Sequence, residues 1–259
     1  WSEERFARCV VKTARVDRPA RRSTRERLVQ EGEILTTLAH PHLVRAFEVR
    51  RGRRPAVVLE TLTGATLQHV IDNSGRLVTG DLVELGTQLG SALRYLHACG
   101  YLHLDVKPGN VIVESGRVWL IDLSLAQRPG PCSQGLGTTA YLSPEQARGE
   151  EVAEAADVWG LGVTLYEAAT GASPFEGDSR ASVGAGSGHS GSASCTATDR
   201  CPACGQRTGY EQLRGRAPAL RTRRRLPIGL TRAIDAMLEP SPADRPSLAE
   251  LGPILAALA

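Results

Sequence analysis

The sequence predicts an α+β protein with two lobes, a small β-rich lobe followed by a larger helical one. Before about residue 61, short apolar runs alternate with turn signals around a single helical pattern. After that point, apolar residues recur mainly at helical spacing. The 259 residues are enough for one large domain or for two small lobes that share a cleft. We therefore divide the chain into residues 1–61 and 62–259.

The first lobe is predicted to contain three strands and one helix. The apolar run Arg8 to Lys12 predicts the first strand. A helical pattern follows and ends before Pro41, because proline cannot continue a helix. Residues 43–49 and 56–60 are predicted as two further strands around a turn at Arg51-Gly52.

The second lobe is predicted to be mainly helical. Leucines from Leu82 to Leu96 follow helical spacing, and Gly100 marks the end of that helix. Two short strands, 111–113 and 118–121, follow around the turn Ser115-Gly116. The segment 123–144 is predicted to be a loop. The remaining predicted helices are 157–170, 230–238 and 247–258.

The composition is that of a globular chain, with 41% hydrophobic and 23% charged residues. A net charge of only +3 gives no indication of a nucleic-acid partner. No apolar run approaches the about 20 residues that span a bilayer, and no signal peptide is recognisable. We therefore expect a cytoplasmic protein, or the cytoplasmic domain of a longer one, with no nucleic-acid partner and no membrane segment.

A few polar residues could supply the groups that phosphoryl transfer needs, which are a base for the attacking hydroxyl, metal ligands and cations for the phosphates. Asp105 and Asn110 lie in a turn-rich segment before one predicted strand, and Asp122 follows the next strand. Two carboxylates and an amide at the ends of a hairpin can hold a divalent metal and a nucleophile. Lys107 and Lys12 are the only lysines in an arginine-rich chain, and a compact ammonium suits phosphate oxygens. Taken alone, however, an aspartate in a loop is more often a cap or turn residue.

These residues lie in motifs that resemble those of the protein kinase family, in the family's order. His103 to Asn110 resembles the catalytic loop H-R-D-x-K-P-x-N, and Lys107 within it is typical of Ser/Thr kinases. The resemblance covers the chain from residue 1 to its last helix and is closest to the bacterial, eukaryotic-like Ser/Thr kinases. It implies the two-lobed kinase fold. The other matching motifs are Cys9-Val10-Val11-Lys12 for V-A-I-K, Asp122-Leu123-Ser124 for D-F-G, Ser143-Pro144-Glu145 for A-P-E, Asp157 to Gly162 for D-x-W-S-x-G, and Asp244 to Ser247 for D-R-P-S/T.

The resemblance implies the catalytic and metal-binding roles. Asp105 would orient the substrate hydroxyl and accept its proton, and Lys107 would contact the γ-phosphate of ATP. Asn110 and Asp122 would hold Mg²⁺. Thr138 would form a hydrogen bond near Asp105 and Lys107.

The resemblance also implies an ATP site and a scaffold beneath it. Lys12 would contact the α- and β-phosphates and pair with Glu31. The adenine would be bound by the hinge backbone of Glu60 and Leu62, by the gatekeeper Leu59, and between Val10 and Ile112. Scaffold roles would fall to a buried Glu145–Arg245 ion pair and to Asp157, which would brace the catalytic loop.

One departure from the family pattern concerns the Gly-rich loop that covers the phosphates. The eleven residues before Lys12 contain no glycine. Because residue 1 is tryptophan rather than methionine, we expect that this lobe is truncated in the chain and that the loop lies upstream.

Two further departures concern regulation. Leu104 replaces the arginine that meets a phosphorylated activation segment, so we expect activity that does not depend on that phosphorylation. Ser133 and Thr139 remain candidates for modification without that partner. Ser124 replaces the D-F-G glycine, and we expect it to stiffen the pivot, because serine reaches positive φ less easily.

A biased segment at about 179–208 interrupts the helical lobe. Its Ser/Gly-rich composition predicts a flexible insertion. Cys201 and Cys204 form a C-x-x-C pair, which could be half of a zinc site completed by His189 and Cys195. The alternative is a disordered loop with spare thiols.

Two functions from different classes are compatible with this chain. The first is a Ser/Thr kinase that uses ATP and Mg²⁺ to phosphorylate protein substrates. The second is a pseudokinase, a nucleotide-binding or scaffolding module, which the missing loop, Leu104 and Ser124 favour. The complete set Lys12, Glu31, Asp105, Lys107, Asn110 and Asp122 favours the enzyme.

Overall fold

The structure is a computed structural model that describes residues 8–14, 22–175 and 209–258. The predicted insertion at 179–208 lies outside these ranges. So do its candidate zinc ligands, His189, Cys195, Cys201 and Cys204. None of the helices within the described ranges is both long and apolar enough to cross a membrane.

The first part of the described chain combines three strands with one helix, and helices dominate the second part. The elements in chain order are β1 Cys9–Thr13, α1 Arg22–Thr37, β2 Ala46–Arg50, β3 Ala56–Glu60, β4 Ala65–Thr66, α2 Leu67–Ser74, α3 Thr79–Ala98, β5 Val111–Glu114, β6 Arg117–Leu120, β7 Gly130–Pro131, α4 Pro144–Arg148, β8 Glu151–Val152, α5 Glu154–Thr170, α6 Ile228–Met237 and α7 Leu248–Ala256.

The first sheet is antiparallel, with strand order β1-β3-β2, and helix α1 packs against β2 and β3. Gly32 allows this close packing, because a Cβ built there would lie 2.7 Å from side-chain carbons of Val49 and Val57. The register places Lys12 opposite Val57. The glycine therefore brings its neighbour Glu31 over the strand that carries Lys12.

The helical part is built around α5, whose residues from Ala156 to Ala169 are all buried. Helix α3 packs against both α5 and α7. Trp159 in α5 stacks on Phe175 with ring centroids 5.2 Å apart. Burial on all sides explains why α5 is apolar around its whole circumference rather than along one stripe.

A second small sheet, β4-β5-β6, lies between the two parts. Its β5–β6 hairpin is tied to the first part through main-chain hydrogen bonds, from Val44 N to Leu120 O (3.1 Å) and from Leu120 N to His42 O (2.8 Å). The loops that precede β5 and follow β6 carry the candidate site. The hairpin therefore fixes both loops relative to the first sheet.

Two element predictions are corrected by the structure. The strand predicted at 43–49 begins only at Ala46, because Leu43 forms an isolated bridge with Leu120 instead. The segment predicted as a loop at 123–144 contains β7, which pairs with β8. Pairs of only two residues leave no periodicity for sequence reasoning to detect.

Candidate active site

Asp105 is the centre of a dense hydrogen-bond network. Its Oδ2 accepts hydrogen bonds from Lys107 Nζ (2.6 Å) and Asn110 Nδ2 (3.0 Å). Its Oδ1 accepts from the hydroxyl (2.7 Å) and the main-chain N–H (3.0 Å) of Thr138. Lys107 Nζ also donates to Thr138 Oγ1 (2.5 Å). The structure therefore brings together the predicted catalytic residues and the predicted position of Thr138.

Local backbone geometry explains how residues five positions apart meet. Pro108–Asn110 forms a 3₁₀ turn, and Asn110 N donates to Lys107 O (2.9 Å). Asn110 Nδ2 also donates to the main-chain oxygen of Asp105 (2.9 Å). Ile121 N donates to Asn110 O (2.9 Å), which places Asp122 beside this turn.

Lys12 bridges two carboxylates from different elements. Its Nζ donates to both carboxylate oxygens of Glu31 (2.7 and 2.8 Å) and to Asp122 Oδ1 (2.8 Å). Burial acts to lower the pKa of Lys12, but the two carboxylates raise it above its usual value. Burial raises the pKa of Glu31, and Lys12 opposes this without reversing it. Lys12 is therefore held as a cation at neutral pH.

The two possible metal ligands are Asn110 and Asp122. Burial acts to raise the pKa of Asp122, but Lys12 and Ser124 hold it below the usual value, so the carboxylate is ionised at neutral pH. Because Asn110 Nδ2 is assigned to Asp105, Oδ1 is the atom of this amide that can bind a cation. No group of three or more His, Cys, Asp and Glu side chains that could hold a metal occurs within residues 8–14, 22–175 and 209–258. Carboxylate and amide oxygens nevertheless suit Mg²⁺, which keeps waters and phosphate oxygens as its other ligands.

Ser124 lies in the predicted pivot segment, directly after Leu123. The positive φ in this segment belongs to Asp122 (φ 67°), and Ser124 is not among the described residues with positive φ. Ser124 N donates to Asp122 Oδ1 (3.2 Å). Serine at this position is therefore not strained in this conformation, and the strain lies one step before Leu123.

Asp157 lies beneath the catalytic loop and is fully buried. Its carboxylate accepts from the main-chain N–H groups of His103 (2.8 Å) and Leu104 (2.7 Å), and it lies 2.8 Å from His97 Nε2. Burial acts to raise the pKa of Asp157, but His97 and these N–H donors lower it below the usual value. The bracing position predicted for Asp157 is present, with His97 as an additional partner.

The Glu145–Arg245 ion pair is also present and buried. Arg245 makes two parallel hydrogen bonds to Glu145, of 2.7 and 2.9 Å. Its guanidinium lies 4.9 Å from the ring centroid of Trp159 and donates to Ala155 O (2.8 Å). All three nitrogens of the Arg245 guanidinium donate hydrogen bonds, and the Trp159 ring lies against its plane.

The residues predicted to bind adenine lie on two sheets and on the segment that joins them. Val10 is on the same face of β1 as Lys12 and opposite Leu59 in β3, while Ile112 lies in β5. Glu60 is the last residue of β3, and its main-chain N–H donates to Arg45 O (3.0 Å). Leu62 lies between β3 and β4. These residues therefore lie around the connection between the two sheets.

Sequence reasoning missed two buried polar residues, His97 and Gln146. Gln146 Nε2 donates to Leu104 O (2.9 Å) and Leu136 O (3.0 Å). Its position three residues after the N-cap Ser143 is a capping-box signal that was available in the sequence. Nothing in the sequence distinguishes His97 from a surface histidine at a helix end.

The comparisons identify the class of this protein. The protein kinase domain family matches residues 2–252, so the chain belongs to this family. It is 34% identical over 185 residues to the serine/threonine-protein kinase PknB of Mycobacterium leprae, which is 67% of this chain and 30% of PknB. It is 35% identical over 170 residues to PknA of Mycobacterium tuberculosis, which is 61% of this chain and 39% of PknA. The chain therefore spans about a third of the length of these relatives.

The fold agrees with this assignment. A crystal structure of the Rad53 kinase domain and SCD2 in complex with AMPPNP matches with a TM-score of 0.68 and 22% sequence identity. The match covers 95% of this chain and 81% of that one. The two-lobed kinase fold predicted from the sequence, with a small β-rich lobe and a larger helical lobe, is thereby confirmed.

Proposed function

We propose that this protein is a Ser/Thr protein kinase, which transfers the γ-phosphate of ATP to serine or threonine hydroxyls of protein substrates. The observation that carries the proposal is the Asp105 network, in which Lys107, Asn110 and Thr138 all contact one carboxylate. The names of the relatives and the lysine two positions after Asp105 support the Ser/Thr class.

Asp105 is the proposed orienting base. Its carboxylate accepts the hydrogen bond of the substrate hydroxyl, whose oxygen attacks the γ-phosphorus while the bond to the β-phosphate oxygen breaks. The hydroxyl proton passes to Asp105. Because Lys107, Asn110 and Thr138 hold both carboxylate oxygens, the base is positioned before the substrate arrives.

Two lysines supply positive charge, one to the transferred γ-phosphate and one to the α- and β-phosphates. Lys107 lies 2.6 Å from Asp105 and is the proposed γ-phosphate contact. Lys12 is the proposed α/β-phosphate contact, held by Glu31. Such preorganised cations stabilise charge that develops on phosphate oxygens during transfer.

Mg²⁺ is the metal that fits the oxygens of Asn110 and Asp122. Bound there, it would neutralise negative charge on the phosphates. The residues of this chain prepare the position: Asp105 holds the Asn110 amide, and Lys12 and Ser124 hold the Asp122 carboxylate ionised.

The proposed adenine site uses Val10, Ile112, Leu59, Glu60 and Leu62. Since Glu60 N is already bonded to Arg45 O, the main-chain oxygen of Glu60 is the group offered to adenine. This site falls where the chain changes from sheet to helix. We accordingly propose a division near residue 61, with the first lobe at 1–61 and the second at 62–259.

Phosphate transfer by the Asp105→Asn variant tests the proposal. Labelled ATP with Mg²⁺ is offered together with peptides that carry Ser, Thr or Tyr as the acceptor. We expect the wild type to label Ser and Thr peptides, and Asp105→Asn to lower kcat about 10²- to 10⁴-fold, as for loss of a general base. Asp72→Asn, at an exposed aspartate of α2, is the matched control and should retain wild-type kcat.

Three results would contradict parts of this proposal. Undiminished transfer by Asp105→Asn would remove Asp105 from its role. Preferential labelling of the Tyr peptide would contradict the Ser/Thr class. Binding of ATP without transfer to any acceptor would instead support the nucleotide-binding module.

A further inference from the structure

Leu104 occupies an unusual backbone conformation directly before Asp105. Its φ is 62°, in the left-handed region that side-chain-bearing residues rarely adopt. Such a conformation costs of order 1–3 kcal/mol and persists only where its surroundings hold it. The position of the Asp105 carboxylate therefore depends on whatever fixes the peptide groups of Leu104.

Both peptide groups of Leu104 are held by buried side chains. Asp157 Oδ1 accepts from its N–H (2.7 Å), and Gln146 Nε2 donates to its carbonyl (2.9 Å). Asp157 is the bracing residue that the family pattern predicts. Gln146 is a second support, on the opposite side of the strained residue.

Gln146 also joins Leu104 to the activation segment, which we define as residues 122–145. The same Nε2 donates to Leu136 O (3.0 Å), while Oε1 accepts from Ser143 N (3.1 Å). The side chain is buried, and both its donor and its acceptor atoms are used. The side-chain amide of Gln146 is therefore fixed at the end of the activation segment, and it connects this segment to the catalytic loop.

The side chain of Leu104 makes a second, apolar connection to the same segment. It is buried in a small cluster that is separate from the main core, and Leu136 packs against this cluster. The cluster consists of Leu102, Leu104, Cys132, Val152 and Ala156. Leu104 therefore makes an apolar contact at the position where the family pattern has an arginine that pairs with a phosphate.

We propose that Gln146 is a positioning residue for Asp105, and that with the Leu104 cluster it holds the activation segment on the catalytic loop without a phosphate. The inference rests on the proposed kinase function. A phosphate carries about −1.5 to −2 charges and orders a segment by pairing with arginine. Here amide hydrogen bonds and apolar burial make the connection, and the two candidate phosphorylation sites, Ser133 and Thr139, are exposed.

A pair of glutamine variants separates positioning from mere stability. Gln212 is a matched control, because it is also buried and donates to two carbonyls, Thr139 O and Leu142 O (3.0 Å each), neither of which belongs to the catalytic loop. We expect Gln146→Met to lower kcat at least tenfold with the KM for ATP within twofold, since a displacement of about 1 Å can cost about 10²-fold. Gln212→Met should lower kcat less than threefold.

Hydrogen exchange provides a readout that needs no activity. In Gln146→Met the amides of Leu104 and Asp105 should exchange at least tenfold faster than in the wild type, and in Gln212→Met they should not. Equal effects of the two variants on kcat and on exchange would overturn the positioning role. If the wild type transfers no phosphate, the proposed function fails, and exchange alone decides whether Gln146 holds the loop.

Phosphorylation is tested by the double variant Ser133→Ala/Thr139→Ala, compared with phosphatase-treated wild type. We expect kcat within twofold of the untreated wild type in both samples. A loss of more than tenfold in both would show that a phosphate is required, and would overturn the proposal.

Discussion

Two clusters in this molecule each pair a cation with carboxylates, but they differ in the role that we propose for them. In the open cluster, Lys12 lies between Glu31 and Asp122, and its side chain and that of Asp122 are 32% and 36% exposed. In the closed cluster, Arg245 and Glu145 are 0% and 4% exposed. Both contain hydrogen bonds of similar length. They differ in access and in how many partners the cation already has.

The difference separates residues that can exchange partners from residues that cannot. Lys12 can turn from Asp122 to a phosphate oxygen while it keeps Glu31. Arg245 donates to a carboxylate and to carbonyl oxygens, and it lies over the Trp159 ring. It therefore cannot exchange a partner without losing a buried interaction. We infer that the open cluster serves chemistry and that the closed cluster serves stability.

The largest expected effect comes from breaking the closed cluster. Glu145→Gln leaves Arg245 buried without its carboxylate, which typically costs 3–5 kcal/mol of unfolding free energy. Urea unfolding measures this change. The control is Glu150→Gln, which removes the exposed Arg148–Glu150 pair at 3.6 Å and should cost no more than about 1 kcal/mol. Similar losses in both variants would show that burial does not distinguish the pairs.

Breaking the open cluster should affect phosphate transfer more than stability. Lys12→Met removes a preorganised cation and is expected to lower kcat/KM by about 10²- to 10³-fold. Lys12→Arg keeps the charge but replaces a compact ammonium with a planar fork, so we expect an intermediate loss. Lys12→Met should also cost about 1–3 kcal/mol of unfolding free energy, because Glu31 is only 1% exposed and loses the cation that pairs with it, whereas Lys12→Arg keeps a cation beside Glu31 and should stay within about 1 kcal/mol of the wild type. A Lys12→Met variant with full activity would contradict the assignment of the phosphate site.

The sequence was sufficient to predict most of both clusters, because their residues lie in motifs with fixed spacing. Lys12, Glu31, Glu145 and Arg245 were each identified from their neighbours along the chain, and the structure pairs them as expected. Gln146 was missed because its partners, Leu104 O and Leu136 O, are main-chain atoms that carry no residue identity. The positive φ of Asp122 was missed because no turn pattern in the neighbouring residues indicates it.

The pH dependence of stability sharpens the comparison between buried and exposed carboxylates. The pKa of Asp157 is lowered in the folded state, so its contribution is present above the unfolded pKa of about 3.9 and is lost as pH falls through the folded value. Asp157→Asn should cost about 1–3 kcal/mol at pH 7. The difference in unfolding free energy from the wild type should shrink as the pH falls below 4. A difference that stays constant between pH 7 and pH 3 would contradict the ionised, hydrogen-bonded state, and the exposed Asp72→Asn is the control.

The smallest expected effect concerns Ser124, whose main-chain N–H donates to Asp122 in the open cluster. If the residue needed positive φ, Ser124→Gly would relieve strain and raise both stability and activity. The structure places positive φ at Asp122 instead, and Ser124 N holds the Asp122 carboxylate from a conformation open to any residue. Glycine should therefore cost about 0.4–1 kcal/mol by enlarging the unfolded ensemble. Since glycine keeps the N–H, kcat should change less than twofold. A more stable and faster Ser124→Gly variant would place the strain at residue 124 and restore the pivot that the family pattern predicts.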